Sequence, residues 1–193
     1  MEYITPLPDG STYRVVPVQQ GIKVIRTWAE HPWPMTTTQA LALRDHFGWA
    51  SSPTKKNIFT TNHNTRPKDA SFVSVDNVTV SGFTLVLSSL YPEEATSTTE
   101  PTAQLAFNAY TEALNNLYGK GKKKNRKGIR SVIWTLPTGA TINLGITRGL
   151  LDVVIDSPEY NAAAAGEELY FEEIMSEEEE EREVPIQPSR HQP

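Results

Sequence analysis

The sequence predicts an α+β fold, an antiparallel sheet or sheets covered by helices in the order helix–strands–helix–strands–helix. Three observations lead there. The first is a meander from Ile129 to Ser157, three short strands and two tight turns. The second is a long amphipathic stretch in which Ala103, Ala106, Phe107, Tyr110, Leu114 and Leu117 recur at helical spacing. The third is length: 193 residues suffice for one domain with a real core.

In the meander, Val132, Trp134 and Leu136 share one face of the first strand. Pro137-Thr138-Gly139 then reverses the chain, and Ile142, Leu144 and Ile146 alternate with Asn143 and Gly145. Period 2 marks a half-buried strand. After a turn at Thr147-Arg148-Gly149, Leu150 to Ile155 is apolar except for Asp152, as expected of a strand near the middle of a sheet.

From the start, residues 1–13 carry Pro6, Pro8 and Gly10 and read as a loose lead-in. Val15-Val16 and Val24-Ile25 favour two strands around Gln20-Gly21 or an extended arm, so residues 1–30 are expected to be an extended segment or edge strands. Thr36 or Thr37 caps a short helix with Ala40, Leu43 and Phe47 on one face, Gly48 as its stop and Trp49 closing over the end. Asn57–Thr61 is a short strand and Asn62–Ala70 a loop. Phe72 to Leu87 gives two or three strands, with turns at Asp76-Asn77 and Ser81-Gly82. Thr98 or Thr99 caps the long helix, with Pro101 in its first turn, and Gly119 ends it. Lys120 to Lys127 is basic and without apolar residues, an exposed loop. Ser157 caps a third helix with Pro158 at its first position. One α+β domain over 31–174 is expected, followed by a disordered acidic tail, 175–193, in which Glu177 to Glu181 repel one another.

Charge is segregated. The net −5 divides into a +3 body, 1–166, and a −8 tail, 167–193. Lys120 to Arg130 alone supplies seven positive charges. Such a cluster can hold phosphates, but no aromatic residue interleaves with it to stack bases, so nucleic acid is not the expected partner. A solvated loop, or one that meets the acidic tail, is the simpler reading.

Chemistry finds little support. With no cysteine there are no disulfides, no thiol catalysis and no Cys-based zinc site. His31, His46, His63 and His191 share no ligand spacing, and no cofactor or metal is expected. There is no nucleophile elbow, and Gly-Lys-Gly-Lys at 119–122 lacks phosphate-loop spacing. Asp152 and Asp156 project to the same face of a strand; acid/base work is conceivable there, and a solvated strand edge is the plainer account. No apolar run approaches the ~20 residues that cross a bilayer. The first nine residues lack the pattern of a secretory leader, so a cytoplasmic location is expected.

Several motifs in order resemble an actinobacterial family of uncharacterised domains presumed to be immunity proteins for secreted polymorphic toxins. They are His-Pro-Trp-Pro at 31–34 leading into a helix that ends Phe47-Gly48-Trp49, the helix ending Leu117-Tyr118-Gly119, Val132-Ile133-Trp134 followed by Thr138-Gly139 and the Ile142-to-Leu144 strand, and a last strand ending in Ser157-Pro158. The resemblance covers about residues 30–165, and the basic stretch and polyglutamate tail depart from it. It implies a non-enzymatic binding protein whose partner is a cognate toxin, neutralised when its active site is covered. Against a basic toxin cleft the candidate contacts are Glu172, Glu173, Glu177, Glu178, Glu179, Glu180 and Glu181. Two other readings stay open. A secretion chaperone would show a dimer and an apolar groove, and an enzyme would gather Asp152, His63 or other titratable groups in a deep pocket.

Overall fold

The computed structural model describes residues 3–52, 55, 57–61, 70–76, 78–91, 93–126 and 128–167. The chain begins with strands: β1 (Tyr3–Pro6) and β2 (Thr12–Val15) form an antiparallel hairpin. Two helices follow, α1 (Val18–Ala29) and α2 (Thr37–His46), then four strands, β3 (Ala50–Ser51), β4 (Ile58–Thr60), β5 (Ala70–Asp76) and β6 (Thr79–Val86). A short 3-10 turn (Glu93–Ala95) leads into α3 (Thr96–Tyr118). Four more strands, β7 (Lys122–Arg126), β8 (Ile129–Thr135), β9 (Thr141–Thr147) and β10 (Leu150–Asp156), precede α4 at 158–167. The α+β class and antiparallel pairing are as expected; the order differs, with strands first and two consecutive helices before the main sheet.

The eight strands β3 to β10 form one antiparallel sheet in the order β3-β4-β5-β6-β10-β9-β8-β7. Two four-strand meanders therefore each run from an outer edge inward, and their last strands, β6 and β10, pair at the centre. The register sets Ile155 opposite Phe83 and Ile142, and Val153 opposite Leu85 and Leu144. These six side chains are buried on one face, together with Val73, Leu151, Ile146, Val132 and Trp134.

Helices α1 to α3 cover that face. Trp28 of α1 stacks on Phe83 with ring centroids 3.9 Å apart, and Phe47, Trp49 and Phe83 continue the stack beneath α2. On α3, Ala103, Ala106, Phe107, Tyr110 and Leu114 are buried as the spacing predicts, whereas Leu117 is exposed. α2 is held by a reciprocal cap: Gln39 N–H donates to Thr36 Oγ1 (3.3 Å), and Thr36 N–H donates to Gln39 Oε1 (2.8 Å).

Five readings of the sequence are corrected. Val24 and Ile25 lie in α1, whose buried residues Gly21, Val24, Ile25, Trp28 and Ala29 follow helical spacing. Residues 3–29 form part of the core and not an extended arm: Tyr3, Leu7 and Tyr13 are buried, and Tyr13 Oη donates to Gly149 O at 2.6 Å. Ser81-Gly82 is not a turn but the middle of β6. α3 begins at Thr96, before the anticipated cap, with Pro101 inside it. The basic stretch expected as a loop is strand β7, paired along its length with β8. The expected loop at 62–69 and the tail after Met175 lie outside the described residues.

Candidate functional site

Among the described residues, α1 to α3 lie on one face of the sheet and the other face is left to strand side chains. Among the described residues, α4 reaches only its corner, where Asn161 Nδ2 donates to Gly139 O (2.9 Å) and Thr141 Oγ1 donates to Asn161 Oδ1 (3.2 Å). Ser157 caps this helix as expected, accepting from Tyr160 N–H at 3.0 Å, and residues 162–167 are exposed.

Strand alternation decides what the open face carries. With Leu151, Val153 and Ile155 turned to the helices, Asp152, Val154 and Asp156 turn the other way. The pairings bring Asp152 beside Gly145 and Val86, Val154 beside Asn143, and Asp156 beside Thr141 and Gly82. Both glycines have a steric reason to be there. A Cβ on Gly145 would lie 2.9 Å from Asp152 Oδ1, and one on Gly82 would lie 3.1 Å from Asp156 Oδ1. Each carboxylate thus lies across a neighbouring strand where a side chain is missing.

Both aspartates are half-buried at the centre of the sheet, which corrects the expectation of a solvated edge. Burial pushes the Asp152 carboxyl up to about 6, opposed by a backbone hydrogen bond. Burial also raises Asp156, and the neighbouring Thr141 hydroxyl, which can turn toward it in place of Asn161, works against the rise. Asn143 Oδ1, between them, is buried without a hydrogen-bond partner. Four residues along a strand separate the two carboxylates by about 13 Å. That exceeds the roughly 5–10 Å over which two carboxyls act on one bond, so they do not form an acid–base pair.

A second feature lies on the helix side, at the far edge. A groove of about 770 Å³ runs between α3 and the β7–β8 hairpin. Gln104, Asn108 and Asn115 line one wall, and Lys123, Lys124 and Arg130 the other. Asn115 Oδ1 closes one end, accepting from Trp134 Nε1 (3.1 Å) and Gly121 N–H (3.0 Å). Gly121 permits this approach, since a Cβ there would sit 2.5 Å from the Val132 side chain. Arg130 is hydrogen-bonded to Gln104 Oε1 across the groove. Among the described residues the ion pairs are Arg26–Glu30, Arg44–Asp45 and Arg148–Glu93, none of which uses a β7 cation.

The candidate contacts Glu172, Glu173 and Glu177 to Glu181 lie outside the described residues, as do His63 and His191. His46 is at the end of α2, edge-on to Phe47, and His31 is tied to Pro32 O. Among the described residues no group of three or more His, Asp or Glu is placed to hold a metal ion, and no helix is long and apolar enough to cross a membrane. Two features were missed in the sequence: the groove, which depends on β7 pairing back under α3, and the burial of Asp152 and Asp156, although the apolar run around Asp152 does point to a strand near the middle of the sheet. The glycines at 82 and 145, each opposite an aspartate, were the available signal for the second.

These features define an α+β protein with a two-stranded hairpin and an eight-stranded antiparallel sheet that is helix-packed on one face. Residues 19–157 match the model of a family described as "Family of unknown function (DUF6301)", and the chain belongs to that family. Neither the curated proteins nor the solved structures contain a match.

Proposed function

We propose that this chain is a non-enzymatic binding protein, an immunity-type protein that neutralises a cognate secreted toxin by covering the toxin's active site. The observation that carries the reading is the open face of the sheet. Six adjacent strands, β5-β6-β10-β9-β8-β7, form a platform of roughly 24 by 23 Å. That is of the order of the ~800 Å² each partner contributes to a stable interface. Its centre mixes half-buried Val86, Val154 and Ile133 with the carboxylates of Asp152 and Asp156. An apolar patch studded with oriented polar groups is the composition of a recognition surface. Acidic groups at its centre suit a basic toxin cleft, and the glutamates at 172–173 and 177–181 would extend that charge.

The reading is tested by co-expression with the secreted protein encoded beside this chain. Growth arrest by that protein is expected to be relieved, and the two purified proteins are expected to form a stoichiometric complex. Val154→Arg, at the centre of the platform, should weaken the complex at least tenfold, whereas Leu105→Arg on exposed α3 surface should not. Persistent growth arrest with native chain present in excess would remove the immunity reading. Equal affinity of both variants would move the interface off the sheet face.

A further inference from the structure

Strand β7 is the last in the sheet order, so among the described residues no strand pairs with the edge facing away from β8. Its five residues, Lys122-Lys123-Lys124-Asn125-Arg126, are all exposed. Lysines on an edge strand ordinarily block strand addition, because an incoming segment brings no charge to offset them. The block is selective: it repels a second copy of β7 and admits a segment of opposite sign. The groove behind the edge adds to this, since Lys123 and Arg130 line it together with side-chain amides of α3.

We propose that this groove and edge are the binding site for the chain's own acidic run, Glu177–Glu181, laid in extended form along β7. Charge complementarity selects it. The run is five consecutive carboxylates within a segment of net −8, and the receiving strand carries four cations in five residues. Reach permits it. The register places the end of β10 and the start of β7 at the same end of the sheet, since Asp156 pairs with Thr141, Thr141 with Thr135, and Ile133 with Lys122. Three strand spacings, about 14 Å, and the length of α4, about 15 Å, bound the distance to be crossed. The nine residues from 168 to 176 span about 30 Å when extended. Tethering raises the effective concentration of the run into the millimolar range. Glutamates are poor strand formers and repel one another, so pairing holds only while the cations are unscreened.

This proposal does not depend on the toxin reading, in which the same run would leave β7 before meeting a partner. It is tested on the full-length chain against a variant with Glu177 to Glu181 all changed to Gln, which removes charge and keeps side-chain length. Hydrogen exchange at the amides of residues 122–126 is compared at roughly 20 mM and 500 mM salt, a range that takes the Debye length from about 20 Å to about 4 Å. At low salt the native chain is expected to exchange its outward β7 amides at least tenfold more slowly than the Gln variant, and the difference should vanish at high salt. A labelled hexaglutamate peptide should bind the Gln variant at least tenfold more tightly than the native chain. The double variant Lys123→Glu/Arg130→Glu, with an unchanged circular dichroism spectrum, should lose the protection. Equal β7 exchange in native and Gln chains, or equal peptide binding by both, overturns the proposal. So does a result in which a single-stranded oligonucleotide binds the Gln variant and the peptide does not, which would make nucleic acid the occupant.

Discussion

Replacing Asp152 by Asn removes a charge from the place in the sheet least suited to hold one. Burial lifts this carboxyl from 3.8 to about 6 in the folded protein. The unfolded chain therefore releases the proton first as pH rises. Between about pH 4 and about pH 6 the folded state binds more protons than the unfolded one, and stability falls with rising pH. The contribution is fully present below about pH 4 and lost once the pH passes about 6. A shift of roughly two units corresponds to about 3 kcal/mol, an upper figure for a half-buried group. Asn has nearly the shape of the protonated acid and never ionises. Asp152→Asn should match the native chain at pH 4 and exceed its stability at pH 7 by up to about 3 kcal/mol. Urea unfolding of both proteins at half-unit steps from pH 4 to pH 7 measures this directly. An Asn variant less stable than native at pH 7, or a gap that does not widen with pH, would refute the account of Asp152 as a charge held against its preference. A basic partner cleft laid on this face favours the charged carboxylate. Complex formation is therefore expected to release protons near pH 6 and to strengthen as pH rises through that range, which calorimetry in buffers of different ionisation enthalpy would detect.

Other perturbations have equally definite signs. Gly21→Ala gains about 1 kcal/mol of helix propensity. It also sets a Cβ 2.0 Å from Tyr110 Oη, whose hydroxyl donates to Val16 O at 2.9 Å. Overpacking at about 1–3 kcal/mol and a lost hydrogen bond at about 1 kcal/mol outweigh the gain, so thermal melting should show net destabilisation, relieved by Tyr110→Leu in the same chain. Gly145→Ala is expected to cost about 1–3 kcal/mol through its approach to Asp152, seen as a lower urea midpoint with an unchanged slope. Trp28→Ala empties the fully buried stack on Phe83 and should cost about 3–5 kcal/mol by the same assay. Ser157→Ala removes the cap of α4 and should cost about 1 kcal/mol, read as faster amide exchange at Tyr160.

What was legible in the sequence depended on whether local pattern and tertiary pairing agreed. The β8–β10 meander was clear because Ile142, Leu144 and Ile146 alternate with Asn143 and Gly145, Leu150 to Ile155 is nearly all apolar, and the turns carry glycine. α1 was misread because Val24-Ile25 is β-branched and Gly21 looks like punctuation. The spacing 21, 24, 25, 28, 29 was the better guide, and Gly21 is there to admit Tyr110. β7 was hidden because lysines are poor strand formers, and only its pairing with β8 makes it a strand. Ser81-Gly82 has turn composition, yet Gly82 serves to clear space for Asp156. The apolar run from Leu150 to Ile155 placed β10 near the middle of the sheet, but the burial of Asp152 was not legible, because a sequence does not show which residues flank a carboxylate. The polyglutamate candidates were visible as composition alone, and their placement rests on no packing pattern.

The strand order also has a consequence for how the molecule is made. β10 is the last of the described strands to be synthesised and the one that fits between β6 and β9. Until residue 156 has left the ribosome, the β3–β6 ladder has a bare flank along Gly82 to Val86, the span that β10 pairs with. A nascent chain stalled in the second meander would therefore present an unsatisfied ladder rimmed by Phe83 and Leu85, open to any passing strand. Folding here waits on the final stitch, and the vulnerable interval lasts as long as translation of the second half.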